Sequence, residues 1–151
     1  MKNIIFYRIV FLILGIVASI FALGIYYGYR PNSLLFFSFT DFLGLNENIN
    51  EFRLYSQNFT LSESLVNNLP YSLMVFSYMM FILSIWGNER KIFIYIYFYF
   101  ASFISIFLEI LQFFKVLRGT FDVLDIIFIA ISTILASLFL IPLRSEKKVL
   151  F

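Results

Sequence analysis

The chain has 151 residues, of which 62% are hydrophobic and only 13% charged, with a net charge of +2 and a mean hydropathy of +0.92. A soluble fold of this size cannot hide that much apolar surface, so the composition is that of an integral membrane protein. Cysteine and histidine are both absent, which excludes disulfides, thiolate metal sites, cysteine nucleophiles and lipidated cysteine, and removes the usual neutral-pH general base. No metal, no cofactor, no catalytic residue and no nucleic-acid partner is expected. The abundance of Phe, Ile, Tyr and Asn fits an AT-rich bacterial genome.

The basic start Met1–Arg8 leads into an uncharged run over 9–27, whose 19 residues at about 1.5 Å each reach roughly 28 Å, enough for a bilayer core. Val17-Ala18-Ser19 has the look of a signal cleavage site, but the run is long for a signal peptide and reads as a first span. Gly15, Ala18, Ser19 and Ala22 give it a small-residue face suited to close helix approach, within the chain or between copies. Tyr26, Tyr27 and Tyr29 sit where an aromatic belt belongs, and Arg30-Pro31 ends the helix.

An outer loop is expected over 30–69. It is net acidic yet apolar in its first part, which suits a segment on the membrane surface or a lid over the helix ends. Asn58-Phe59-Thr60 matches a glycosylation acceptor by chance. Asn68-Leu69-Pro70 reads as a helix start, with an Asn cap and a proline in the first turn, opening a second span over 71–86. Its Ser72, Ser77 and Ser84 are expected to bond back to their own helix. The third span covers 92–114 and the fourth 123–143.

Four spans make an all-α, up-down bundle in one membrane domain over 1–151. With the N-terminus inside, the inner segments hold seven of the 11 Lys and Arg residues, and the two outer loops hold four. The positive-inside rule then places both termini in the cytoplasm.

The candidate site lies in the third span, its turn and the fourth span. Ser102, Ser105, Glu109 and Gln112 fall within roughly 80° of one another on a helix, so they form one polar stripe. A charge at membrane depth costs about 2.5 to 3.5 kcal/mol, which marks Glu109 as a site or a packing necessity. Glu109 lies about 7 Å below the outer end of its span. The turn adds Lys115, Arg118 and Asp122, and Asp125 follows; with Glu109 the cluster sums to −1. Arg118 is the expected partner of Glu109 or Asp125, because a guanidinium bridges carboxylates directionally. Asp122 and Asp125 also fit the N-cap and N3 positions of the last helix.

At these residues the sequence resembles the VanZ-like family of small membrane proteins. The matching pattern is Glu109-x-x-Gln112, then Arg118-Gly119-Thr120-Phe121-Asp122-x-x-Asp125, with Leu69-Pro70 before the second span. The resemblance covers roughly 69–137. Where the family often has Asn and Gly in the fourth span, this chain has Ile129 and Ser132. The resemblance implies a role in tolerance of the glycopeptide teicoplanin, with Glu109, Gln112, Arg118, Asp122 and Asp125 as the residues of interest.

Three functions are compatible with this reading. The first is a non-enzymatic protein of the bacterial cytoplasmic membrane whose outward polar site, in cell-envelope physiology, meets a lipid, an envelope precursor or a partner. The second is a small subunit or scaffold of a larger membrane complex or homo-oligomer. The third is an intramembrane enzyme acting on a lipid-linked substrate, since acid pairs can do general acid and base work. Against the third, the chain lacks Gly-x-Gly-Asp, Gly-x-Ser-x-Gly and the spaced aspartates of lipid phosphotransferases.

Overall fold

The computed structural model describes residues 2–31, 35–87, 92–117 and 119–140. Its described residues form six helices and no strand: α1 (Lys2–Tyr29), α2 (Leu35–Phe42), α3 (Asn46–Ser56), α4 (Glu63–Trp86), α5 (Ile92–Phe113) and α6 (Val123–Leu138). Three of them, α1, α4 and α5, are long and apolar enough to cross a membrane. α6 is apolar but has only 16 described residues, about 24 Å of helix. The rest of the expected fourth span, Pro142 included, lies outside the described residues.

α4 is the centre of the bundle, packing against α1 on one side and against α5 and α6 on the other. Side-chain pairs fix each register. Gly15 meets Phe81, Ser19 meets Ser77, and Arg8 donates from Nη2 to the Ile85 carbonyl at 3.0 Å, so α1 and α4 run antiparallel. Ser102 touches Met79 Sδ at 3.5 Å and Trp86 stacks on Tyr97, which sets α5 antiparallel to α4. Tyr99 with Ser137 and Ser102 with Thr133 do the same for α5 and α6. One end of the bundle therefore gathers the last turns of α1 and α5 and the first turns of α4 and α6, and is called the loop end below.

The small-residue face of α1 is used inside the chain. A Cβ on Gly15 would lie 2.7 Å from the Phe81 ring, and Ala18 and Ala22 are buried. Ser77 departs from the expected back-bonding. Its hydroxyl donates to the Gly15 carbonyl at 2.7 Å and pairs with Ser19 Oγ at 2.6 Å, whereas Ser72 and Ser84 bond within α4, to Leu69 and Phe81. The close approach that Gly15 allows is what brings a carbonyl of α1 within reach. Below this contact Phe11, Met79, Met80, Leu83, Phe98, Ile129 and Ala136 make the apolar core. Large apolar residues on the outer faces, such as Ile20, Phe21, Phe103 and Ile134, remain exposed, which is compatible with contact with lipid.

The region expected as a loop over 30–69 differs in two ways. It holds α2 and α3, and α3 packs on α1 through Tyr29, whose hydroxyl donates to the carbonyls of Ser56 and Phe59. Moreover α4 begins at Glu63, with Ser62 as its extended N-cap, so Pro70 stands in the helix interior rather than in the first turn. Asn68 is correspondingly not a cap: it is buried, and its Nδ2 donates to the Ser64 carbonyl.

Candidate functional site

Proline inside a helix removes one N–H and leaves the carbonyl four residues earlier without its helical donor, at a cost of about 3 kcal/mol or more. For Pro70 that carbonyl belongs to Val66. The missing donor comes from the far end of α1: Arg30 Nε donates to Val66 O at 3.3 Å, and Arg30 Nη2 donates to Asn67 O. The guanidinium is thus fixed on its Nε–Nη2 edge by backbone. Arg53 supports it by donating to the Arg30 carbonyl, while its own guanidinium lies 5.7 Å from the centre of the Phe37 ring.

Arg30 lines a groove of about 330 Å³ at the loop end. Asn67, Pro70, Tyr71 and Met74 of α4 form one wall, Ala22, Leu23 and Tyr26 of α1 another, and Asp125 of α6 faces in. Asp125 feels the charge of Arg30. No hydrogen bond or ion pair within 4.0 Å joins its carboxylate to any described residue.

Asp125 is placed by the turn that precedes α6. α5 ends in a Schellman arrangement: Val116 N–H reaches Leu111 O and Lys115 N–H reaches Gln112 O, with Lys115 at φ 57° in the left-handed position that glycine normally fills. Gly119 at φ 148° has no such mismatch, and a Cβ there would also lie 2.8 Å from the Gln112 side chain. Asp122 is the N-cap of α6, its Oδ1 accepting from Leu124 N–H at 2.8 Å, and Asp125 lies in the first turn, where the helix dipole favours a carboxylate.

Behind the groove, α5 turns its polar stripe inward. Ser102, Ser105 and Glu109 are buried, Gln112 is half-buried under Gly119, and Ser102 is held by Thr133 at 2.7 Å. Glu109 is only 5% exposed. Asp122 and Asp125 both act on its charge. Its Oε2 has no partner among the described residues, and neither does Asn68 Oδ1. Counting from the Met79–Ser102 contact, the antiparallel register sets Ser72 level with Glu109, and Asn68 about one turn nearer the loop end.

Of the residues singled out by sequence, Glu109, Asp122 and Asp125 are brought together, and Gln112 packs beside them against the turn. Arg118, the expected partner of Glu109 or Asp125, lies outside the described residues. Among the described residues the cation that faces Asp125 is Arg30, which the sequence reading places at a helix end and in the outer loop without a partner at the site. A signal for it existed, because span counting puts Arg30 at the same membrane face as Glu109, and a proline inside α4 needs a donor. Among the described residues no group of His, Cys, Asp and Glu is arranged to hold a metal ion. No protein-family profile, no curated protein and no solved structure matches this chain.

Proposed function

We propose that this chain is a VanZ-like, non-enzymatic protein of the bacterial cytoplasmic membrane, with four spans and both termini in the cytoplasm. Its loop end then faces outward, and its polar groove recognises a lipid or lipid-linked envelope precursor, contributing to cell-envelope physiology and glycopeptide tolerance. The observation that carries this reading is the groove, in which a fixed cation and a carboxylate unbonded to any described residue stand over apolar walls. Such a combination of few polar groups on an apolar pocket suits an amphipathic ligand. Beside it, Glu109 is a buried carboxylate with one oxygen unpartnered among the described residues, a costly arrangement for a purely structural residue.

Native mass spectrometry of the protein drawn gently from its own membrane tests the reading, with Glu109→Gln alongside. Retention of a defined lipid or precursor by the wild type, weakened in Glu109→Gln at unchanged abundance, supports it. If the variant instead loses abundance, Glu109 is a structural lock.

A second reading, a subunit of a membrane complex, is favoured by the exposed aromatic ridge of α5, with Phe93, Phe100, Phe103 and Phe107 all facing out. A protein partner at fixed stoichiometry in the same measurement selects it.

A further inference from the structure

We infer that the groove takes a zwitterionic phospholipid headgroup bearing a primary ammonium, with its phosphate on Arg30, its ammonium on Asp125 and the start of one acyl chain against Ala22, Leu23 and Met74. This rests on the lipid-binding reading and names the headgroup.

The first argument is the separation of the two charges. In water or in an ordinary interface an arginine facing an aspartate closes into an ion pair, because the fork geometry favours it. Here Arg30 cannot swing freely, since its Nε and Nη2 are committed to the Val66 and Asn67 carbonyls that flank the Pro70 break. Its Nη1 hydrogen-bonds to no described residue, and Asp125 stands across the groove with a carboxylate that is likewise unbonded to the described residues. A ligand carrying an anion and a cation a few bonds apart satisfies both groups at once; a ligand with one charge leaves the other exposed.

The second argument is the sign of the surroundings. Asp122 adds to the field at Asp125, and Glu109 lies close enough to be coupled to both. The α6 side of the groove is therefore a place for a cation, and an ammonium with three N–H donors suits carboxylates better than a hydroxylated or trimethylated headgroup. The third argument is size. At about 330 Å³ the groove is at the lower end of small-molecule pockets, roughly 300–1,000 Å³, a size that matches a headgroup and a few chain carbons.

The test uses the full chain reconstituted in nanodiscs of equimolar phosphatidylethanolamine and phosphatidylglycerol, then released into detergent for native mass spectrometry. Phosphatidylcholine in place of phosphatidylethanolamine serves as the trimethylated control. We expect retention of phosphatidylethanolamine over the other two by about tenfold, as for one charge-assisted contact. Asp125→Asn, which keeps the shape and leaves the Asp122 cap in place, should abolish that preference while the chain stays folded, with the melting temperature shifted only as far as loss of one helix-dipole contact allows. Equal retention of the lipids, or a preference that survives Asp125→Asn, overturns the headgroup assignment while leaving a lipid site standing. If the wild type retains no phospholipid from any of the discs, the assignment and the lipid reading fall together.

Discussion

The seam between α1 and α4 and the hairpin of α5 and α6 use polar residues in opposite ways. Along the seam three polar side chains reach across to backbone: Arg8 to the Ile85 carbonyl, Ser77 to Gly15, Arg30 to Val66 and Asn67. The small residues of α1 let the helices approach until those bonds close. The hairpin also has its cross-links, Thr133 to Ser102 and Tyr99 to Ser137, but it keeps Glu109 Oε2 and the Asp125 carboxylate unmatched by any described residue. Polar groups that complete a neighbour's backbone are architecture. Polar groups left unmatched at the same depth are where a ligand has something to gain.

The sharpest way to break this contrast is Arg30→Met. It removes two charge-assisted hydrogen bonds of about 1.5–3 kcal/mol each, so detergent or SDS unfolding should show a loss of about 3 kcal/mol. Pro70→Ala returns a helical donor to Val66, and in that background the Arg30→Met loss should shrink by at least about 1 kcal/mol. An undiminished loss would mean that Arg30 stabilises α4 by some route other than completing the broken helix.

Next in size is Gly15→Ala, whose new Cβ meets the Phe81 ring. Overpacking of this kind costs about 1–3 kcal/mol, and Phe81→Leu should recover part of it. The same unfolding assay on the double variant decides whether the small face of α1 serves α4, as opposed to a second copy of the chain.

On the hairpin the effects are smaller. Asp122→Ala removes the α6 cap, a change worth about 1 kcal/mol, and hydrogen exchange should show faster opening confined to the first turn of α6. Lys115→Gly should stabilise by about 1 kcal/mol, since it relieves a side chain held at positive φ, and a higher thermal midpoint checks it. If the hairpin variants proved costlier than the seam variants, the division into architecture and site would fail.

The elements that the sequence made legible are those with a local signature. The long apolar runs located α1, α4 and α5, although α1 and α4 extend beyond the expected 9–27 and 71–86, and the Asp122–Asp125 spacing marked the start of α6. The start of α4 was misread because hydropathy reports where lipid contact begins. The polar turn Glu63–Asn68 is helical all the same, which moved Pro70 from a harmless position to one that leaves a carbonyl open. The helices α2 and α3 were missed because both are short, at 8 and 11 residues, and α3 is held by contacts with Tyr29 and the end of α1.

What the sequence determined by itself is a set of helices long and apolar enough for a membrane, the polar stripe from Ser102 to Gln112 and the company of Glu109 with Asp122 and Asp125, because helical periodicity and an eight-residue turn are short-range facts. What only the tertiary structure decided is the cation opposite Asp125. Arg30 meets Val66 and Asn67 across 36 and 37 residues of chain, and no local rule links an arginine at the end of one helix to a carbonyl opened by a proline in another. That pairing depends on how closely α1 and α4 pack, which Gly15 and Ala18 set away from the groove and Ala22 sets at its wall.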